Sequence, residues 1–271
     1  AKYVEGEHRF RHGFGKNNPR KMVKTWAEKE ARNLKRLEAA GLSVPKVVLL
    51  KGHVLVMEFI GSNGWPAPRL KVAQMSSRRW GGAYWDCVKF VRVMFHTCKL
   101  VHGDLSEFNI LYHQGKLVFI DVSQSVETSH PRALDFLRYD CRNVNDFFRK
   151  KGVQVLSNRA FFEYVVDDSI GAAAAAAACG GTAATTSGGA RGKKMKGLDP
   201  EVLQQQREEG QRRREEAEQR ALEKLQERAA NGDFAVTSKQ HEAQVADAVF
   251  MSSFIPRSLY EVDDPEKEDL A

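Results

Sequence analysis

The sequence predicts an α+β fold in which amphipathic helices alternate with short β-hairpins. Apolar residues recur with helical spacing between Lys21 and Ala40. Two β-rich runs joined by a glycine turn follow over residues 46–61, and a second pair of short apolar runs flanks the turn at Gln114 and Gly115. Hydrophobic residues make up 42% of the 271 residues, which is enough for a folded core.

The first predicted helix carries a carboxylate on its apolar stripe. The stripe consists of Val23, Trp26, Ala27, Leu34 and Leu37. Glu30 lies on the same stripe, four residues after Trp26 and four before Leu34. A buried carboxylate is costly unless a cation meets it. The spacing alone leaves two interpretations open: Glu30 reaches solvent at the edge of the stripe, or it forms an ion pair.

A hairpin and a second helix are predicted next. Gly41 ends the first helix, and "KVVLLKGHVLVMEFIG" (46–61) has the pattern of two antiparallel strands. The following stretch, "GSNGWPAPRL" (61–70), breaks all periodicity and predicts a loop. A helix is then expected from about Ala83 to Lys99, because apolar residues recur on one face there.

The stretch "VHGDLSEFNILYHQGKLVFIDVSQS" (101–125) places three polar residues at the ends of short apolar runs. We predict a loop that contains Asp104, then strands at 109–112 and 117–120 joined by a tight turn. Because these strands would pair across the turn, Asn109 and Asp121 are expected to lie side by side.

These residue types suit phosphoryl transfer. "HGDLSEFN" fits the catalytic-loop form H-x-D-L-x-x-x-N, and "LVFID" supplies a second aspartate at a strand end. Asp104 could orient or deprotonate an attacking oxygen, while Asn109 and Asp121 offer the hard oxygen ligands that Mg²⁺ prefers. Any one of them alone would more often be a turn residue. Their joint order favours function, except for His102, which fits a packed core histidine equally well.

The rest of the chain divides by composition. Residues 133–152 and 158–168 are helical candidates. Ala, Gly, Thr and Ser dominate residues 171–190, which predicts a linker, and residues 201–230 predict a charged, solvated helix. The last stretch contains proline and is acidic, and we expect a tail that docks or stays mobile.

Charge and cysteine usage restrict the class of protein. The formal charge is +7, and residues 1–36 alone hold eleven Lys or Arg against four Glu. A polyanionic partner such as RNA or a phosphate-rich ligand is therefore plausible. The four cysteines are widely spaced, so we expect neither a zinc site nor a disulfide framework, but a reducing compartment. No apolar run approaches the roughly 20 residues of a membrane span, so no membrane association is expected.

Several stretches together resemble the RIO family of atypical protein kinases, and most closely its type-one branch. They are "NPRKMVKTWAEKEARNL", "VLVMEFIG", "PAPRLK", "LVHGDLSEFNILYH", "FIDVSQSVETSHPRALDFLRYDCRNVNDFF" and "IPRSLYEV". The resemblance covers about residues 1–170 and 250–262. It implies a two-lobed, protein-kinase-like fold that uses ATP and Mg²⁺.

The resemblance also implies a division of the chain. Residues 1–60 would form part of the N-lobe and the hinge, and residues 61–170 the C-lobe with the catalytic and metal loops. The remaining segments would be an Ala/Gly/Ser-rich linker at 171–200, a charged helical extension at 201–249 and an acidic tail at 250–271.

Residue roles follow from the resemblance by position. Asp104 matches the family's catalytic base, and Asn109 and Asp121 match its metal ligands. Asp121 also matches a position that in this family can accept phosphate as an aspartyl phosphate. The resemblance further implies autophosphorylation, ATPase activity and a role in late maturation of the small (40S) ribosomal subunit and its RNA. The implied partner is the pre-40S particle with its assembly factors, and the implied location is cytoplasmic, with nuclear shuttling left open.

The nucleotide site is implied in the same way. Glu58 and Ile60 match the hinge whose backbone holds adenine, and Met57 matches the gatekeeper. Glu30 matches the helix glutamate that pairs with the ATP-binding lysine, which favours the ion-pair interpretation. The family's phosphate loop and that lysine are expected before residue 1, so this chain is expected to bind ATP poorly. Glu58 also stands where a smaller residue is usual.

The segment after Asp121 bears on the substrate. It contains no D-F-G or A-P-E motif, so the platform on which ordinary protein kinases lay a peptide is not expected. Self-phosphorylation and ATP hydrolysis are therefore preferred over phosphorylation of peptides.

Two alternatives remain. A small-molecule kinase of the aminoglycoside or choline type shares the "HGDL" signature but would need a different subdomain after the metal aspartate. An RNA-docking scaffold would use the basic front, namely Arg9, Arg11, Lys16, Arg20, Lys21 and Lys24.

Overall fold

The computed structural model describes residues 18–169, 200–231 and 247–252. The chain divides into one unit of residues 1–166 and 234–271 and a second unit of residues 167–233. None of the described helices is both long and apolar enough to cross a membrane.

The described residues confirm the predicted α+β fold. In chain order the first unit contains α1 Pro19–Ala39, β1 Val47–Lys51, β2 Val54–Met57, β3 Gly61–Ser62, β4 Trp65–Pro66, α2 Ser77–His96, β5 Leu100–Val101, β6 Ile110–His113, β7 Lys116–Phe119, β8 Val126–Glu127, α3 Ala133–Lys150 and α4 Asn158–Val166. The strands form four antiparallel pairs, β1–β2, β3–β4, β5–β8 and β6–β7. The second unit contains α5, Pro200–Ala230, as the charge pattern predicted.

Helix α1 confirms the first predicted helix but corrects its buried face. The side chain of Asn18 caps the helix by accepting a hydrogen bond from the Lys21 N–H at 3.2 Å. Ala27, Leu34 and Leu37 are buried as predicted. Val23 and Trp26 are exposed, which contradicts the prediction that they face inward. Burial depends on the elements that a helix packs against, and for α1 these include β1 and β2.

Helix α2 begins six residues before the predicted start. The side chain of Ser76 accepts a hydrogen bond from the Arg79 N–H at 3.3 Å and so caps the helix at its true beginning. The pair Gly81–Gly82, which weakens the sequence signal for a helix, lies inside α2.

The stretch at 61–70 is not a plain loop, because it contains the β3–β4 hairpin. A side chain at Gly61 would meet the Trp65 carbonyl oxygen at 2.1 Å, so only glycine permits this turn. The following residues run beside β6, where the Leu70 N–H donates to the Ile110 carbonyl at 2.7 Å and the Tyr112 N–H to the Pro68 carbonyl at 2.9 Å.

The core of the first unit lies among α2, α3 and α4. Tyr84 contacts Phe148 and Phe161 in edge-to-face geometry, with ring centroids 5.5 and 6.3 Å apart. Its hydroxyl donates to Asn145 Oδ1 at 3.0 Å and accepts from the Leu156 N–H at 3.0 Å. The helices predicted at 133–152 and 158–168 are confirmed as α3 and α4.

Residues 247–252 are helical and dock on the same unit. The Phe250 ring packs against Phe162 with centroids 5.3 Å apart, and the Met251 carbonyl accepts a hydrogen bond from Arg138 Nη1 at 3.0 Å. These contacts involve Phe250 and Met251, which precede the stretch of the tail that was predicted to dock or stay mobile. Residues 253–271 and the predicted linker up to residue 199 lie outside the described residues.

Candidate active site

The loop predicted to be catalytic, residues 102–109, connects β5 to β6. Strand β5 pairs with β8, with Leu100 opposite Glu127 and Val101 opposite Val126. Strand β6 pairs with β7, with Ile110 opposite Phe119. Because β7 and β8 flank the segment that contains Asp121, both ends of the catalytic loop are fixed beside that segment.

Asn109 joins the catalytic loop to the end of β7. Its carbonyl accepts a hydrogen bond from the Ile120 N–H at 2.9 Å, which extends the pairing of β6 and β7 by one step. Its side-chain Nδ2 donates to the Asp104 carbonyl at 2.9 Å. Since the amide nitrogen is used within the protein, the amide oxygen is the atom that Asn109 can offer to a cation.

Asp121 occupies a left-handed backbone conformation, with φ of 59°. Non-glycine residues adopt this region rarely, and such positions concentrate at functional sites. The Ser123 hydroxyl donates to Asp121 Oδ1 at 2.8 Å. From α1, Asn33 Nδ2 donates to the carbonyl of Val122 at 3.0 Å and holds the next residue in place.

Asp104 is exposed, and its carboxylate is linked to the segment after Asp121. Gln124 Nε2 donates to Asp104 Oδ2 at 3.1 Å. The structure therefore brings Asp104, Asn109 and Asp121 together at one end of the β6–β7 hairpin, as the sequence predicted.

A buried aspartate on α3 supports the catalytic loop from behind. Asp140 Oδ1 accepts a hydrogen bond from the Leu105 N–H and Oδ2 accepts one from the Gly103 N–H, each at 2.9 Å. Burial and, to a smaller extent, the charge of Asp104 raise the pKa of Asp140, and these two hydrogen bonds lower it, which gives a pKa of about 7. The backbone on both sides of Asp104 is thereby fixed.

The sequence reasoning missed Asp140, although a signal was present. Asp140 lies four residues after Phe136 and four before Val144, on the apolar stripe of a predicted helix. Glu30 was singled out because it is likewise a carboxylate on the apolar stripe of a predicted helix.

His102 belongs to the core. It is buried, and burial lowers the pKa of its imidazole to about 4, so the ring is neutral at pH 7. The core interpretation of His102 therefore accounts for its position, and no catalytic role follows from it.

Glu30 is half-buried on α1. Burial and, to a smaller extent, the negative charge of Asp121 together raise the pKa of its carboxyl to about 7. The structure thus places Glu30 within electrostatic reach of the site. Its pairing with a lysine stays a prediction.

The predicted hinge follows β2, which ends at Met57. The Glu58 N–H donates to the Lys46 carbonyl at 2.8 Å, and the Ile60 carbonyl accepts from the Ala67 N–H at 2.9 Å. These two hydrogen bonds do not use the Glu58 carbonyl or the Ile60 N–H. This pattern suits the predicted role, which stays a prediction.

The donor set fits magnesium bound together with phosphate. Among the described residues, no group of three or more His, Cys, Asp or Glu side chains is placed to hold a metal ion. Asp121 and Asn109 offer one carboxylate and one amide oxygen. Mg²⁺ is commonly bound through one or two carboxylates plus substrate phosphates, so this pair would hold it only with a phosphorylated ligand present.

Comparison with known proteins identifies the family. Residues 1–161 match the RIO domain family. The chain belongs to this family. The match includes the segment after Asp121, where the small-molecule kinase alternative would need a different subdomain. The predicted RIO family is therefore confirmed.

Curated RIO kinases are similar over the same region. The chain is 61% identical to serine/threonine-protein kinase RIO1 of Caenorhabditis elegans over 166 residues, which cover 61% of this chain and 33% of the relative. It is 56% identical over 169 residues both to rio1 of Dictyostelium discoideum and to human RIO1. Each match covers 62% of this chain, and the matched part is 29% of the Dictyostelium protein and 30% of the human protein. The chain spans about a third of the length of the curated relatives it matches.

Solved Rio2 kinases are also similar in structure. A complex of the Chaetomium thermophilum Rio2 kinase with ADP, Mg²⁺ and phosphoaspartate is 23% identical with a TM-score of 0.45, covering 55% of this chain and 46% of that one. A second structure of this kinase is 22% identical with a TM-score of 0.44, covering 55% and 47%.

Proposed function

We propose that this RIO chain is the catalytic part of a serine/threonine protein kinase that uses ATP and Mg²⁺. The observation that carries the proposal is the cluster of Asp104, Asn109 and Asp121, in which Asn109 links the other two. Its amide donates to the Asp104 carbonyl at 2.9 Å and its own carbonyl accepts from Ile120, next to Asp121. Phosphoryl transfer depends mainly on positioning and charge neutralisation, which such a cluster supplies.

Each residue has a role in this proposal. Asn109 and Asp121 would hold Mg²⁺, which neutralises the phosphate oxygens when it is bound. Asp104, whose flanking N–H groups are fixed by Asp140, would orient a hydroxyl acceptor or the hydrolytic water and take its proton. The carbonyl of Glu58 and the N–H of Ile60 would bind adenine.

The phosphoryl acceptor that we propose is the protein itself, including Asp121. The connection from Asp121 to α3, which begins at Ala133, is short and contains only β8, so a peptide would find little platform there. A carboxylate oxygen of Asp121 would attack the γ-phosphorus as the bond to the β–γ bridging oxygen breaks, giving ADP and an acyl phosphate. Hydrolysis by a water that Asp104 deprotonates would restore the carboxylate and release phosphate.

Labelling with γ-³²P-ATP and Mg²⁺, followed by hydroxylamine, tests this proposal. Hydroxylamine cleaves acyl phosphates and spares phosphoserine and phosphothreonine. We expect labile label that is lost in Asp121→Asn and retained in the control Asp146→Asn, an exposed aspartate paired with Arg149 on α3. Hydroxylamine-stable label would instead assign a hydroxyl acceptor, and absence of label would count against kinase activity of this chain.

In the cell, we propose a role in late cytoplasmic maturation of the 40S subunit, with the pre-40S particle as partner. The resemblance to the RIO family and the basic front of the chain support this. Arg20, Lys21 and Lys24 are exposed at the start of α1, while Arg9, Arg11 and Lys16 lie outside the described residues. RNA affinity that falls steeply with salt and survives Asp104→Ala is the expected result. Affinity that does not change with salt would contradict RNA contact.

A further inference from the structure

We propose that Gln124 is a positioning residue, whose side-chain amide holds the Asp104 carboxylate in the orientation that phosphoryl transfer requires. The proposal rests on the proposed function, in which Asp104 orients the phosphoryl acceptor. It starts from one contact, the hydrogen bond from Gln124 Nε2 to Asp104 Oδ2 at 3.1 Å. The two residues are 20 positions apart, so the fold and not local sequence creates this contact.

The backbone on both sides of Gln124 is fixed. Val122 is buried, and its carbonyl accepts hydrogen bonds from Asn33 Nδ2 at 3.0 Å and from the Ser125 N–H at 3.3 Å. Ser125 is also buried, and the next residue, Val126, pairs with Val101 directly before the catalytic loop. The turn that carries Gln124 is therefore attached both to α1 and to the strand that leads into the loop. Such attachment is what holds a positioning group in place.

The chemistry of the side chain suits this task. An ionised carboxylate only accepts hydrogen bonds, so the NH₂ group of Gln124 is the end that must face Asp104. Glutamine donates without adding a charge, and it therefore orients the carboxylate without competing with Mg²⁺ or phosphate for charge. A lysine or arginine here would form an ion pair with Asp104 instead.

The same turn serves both aspartates of the site. Ser123 donates to Asp121 Oδ1 at 2.8 Å, and its neighbour Gln124 donates to Asp104 Oδ2 at 3.1 Å. Two consecutive side chains thus set the orientation of the proposed metal ligand and of the proposed base. A small displacement of this turn would misalign both groups.

The hydrogen bond can be tested without any activity. In the ¹⁵N-labelled full chain, the side-chain amide of Gln124 is assigned by its absence from the spectrum of Gln124→Met. One of its protons is expected downfield of a free primary amide, and it should move back in Asp104→Ala. The same spectra of Gln74→Met, which replaces an exposed glutamine before α2, should leave this signal unchanged. If the Gln124 amide protons have the chemical shifts of a free primary amide and these shifts do not change in Asp104→Ala, the proposal is overturned.

The positioning role is tested by kinetics. Gln124→Met retains the length of the side chain and removes the donor, and we expect kcat for ATP turnover to fall by about 10- to 100-fold. KM for ATP and the thermal unfolding midpoint should stay unchanged, as they should in Gln74→Met. A merely structural role would lower the unfolding midpoint, or change KM and kcat together.

A double-mutant cycle separates action through Asp104 from any other effect. If Gln124 acts through Asp104, Gln124→Met should have no further effect on the residual turnover of Asp104→Asn. Equal fold losses in both backgrounds would overturn the proposal. Absence of turnover in the unsubstituted chain would count against the proposed function, and the amide signal would then decide the hydrogen bond by itself.

Discussion

Two hairpins of similar sequence pattern have opposite surroundings in this protein. In β6–β7, Val118 and Phe119 are 7% and 3% exposed. In β1–β2, Val48 and Leu49 are 68% and 53% exposed. Both hairpins pair antiparallel around a turn that contains a glycine at positive φ. Their local pattern is alike, so the difference comes from what packs against them.

The buried hairpin carries the site. Phe119 stacks on Phe90 of α2 with ring centroids 3.5 Å apart, and Ile110 is fully buried beside it. The exposed hairpin contacts α1, the helix that presents Glu30 and Asn33 to the other side of the site. The site therefore lies between a buried hairpin, β6–β7, and a helix that packs against an exposed hairpin, β1–β2.

The largest expected effect is on the buried support. Phe119→Ala would leave a cavity against Phe90, and we expect the free energy of unfolding to fall by about 3–5 kcal/mol. Urea denaturation followed by circular dichroism measures this. A loss below about 1 kcal/mol would mean that β6–β7 is no better supported than β1–β2.

The second-largest expected effect is on Asp140, the buried aspartate that accepts hydrogen bonds from the catalytic loop. Asp140→Asn keeps one acceptor oxygen, so one of the two N–H groups of Gly103 and Leu105 loses its partner and meets an NH₂ group. We expect a cost of about 1–3 kcal/mol and faster hydrogen exchange at one or both of these amides. Unchanged exchange at both amides would show that the loop does not depend on Asp140.

These contacts show which parts of the structure the sequence could predict. Periodicity predicted α1, β1–β2, β6–β7, α3 and α4, because each depends on residues close in the chain. The meeting of Asn109 and Asp121 was predictable for the same reason, since one tight turn joins their strands.

The supports of the site were not predictable in this way. Asp140 meets Leu105 across 35 residues, and Asn33 meets Val122 across 89. Such contacts depend on how helices pack, which periodicity does not specify. The exposure of Val23 and Trp26 was missed for the same reason, because spacing defines a stripe but not the part of it that is covered.

Glu30, on the helix that packs against the exposed hairpin, is expected to make the stability of the protein depend on pH. Because burial and Asp121 raise the pKa of its carboxyl from 4.5 to about 7, the folded state binds this proton more tightly than the unfolded state. Its contribution to stability is therefore complete below pH 4.5 and is lost as the pH rises through about 7. Glu30→Gln should remove that contribution, so its unfolding midpoint should drop less than that of the unsubstituted chain between pH 5 and pH 8.

The contribution of Glu30 is obtained from the difference in unfolding midpoint between Glu30→Gln and the unsubstituted chain. His102, with its pKa lowered to about 4 by burial, acts in the opposite direction between pH 4 and 6.5. Parallel curves for Glu30→Gln and the unsubstituted chain would mean that Glu30 is solvated and that the α1 side contributes no buried charge.

The smallest expected effect is on the exposed hairpin. Leu49→Ala removes a side chain that is half in solvent, and we expect a change of no more than about 0.5 kcal/mol in the free energy of unfolding. Urea denaturation beside Phe119→Ala provides the direct comparison. A cost above about 2 kcal/mol would show that β1–β2 is covered in solution.

The backbone conformation at Asp121 limits the types of residue that are compatible with this position. A left-handed conformation costs most L-residues about 1–2 kcal/mol, whereas glycine adopts it freely and Asn and Asp adopt it more readily than others. With φ at 59°, glutamate would keep the negative charge but lose this tolerance. Glycine, asparagine and aspartate remain as the compatible residues, and only aspartate is acidic. Geometry alone thus selects the shorter of the two acidic side chains before any demand of chemistry is considered.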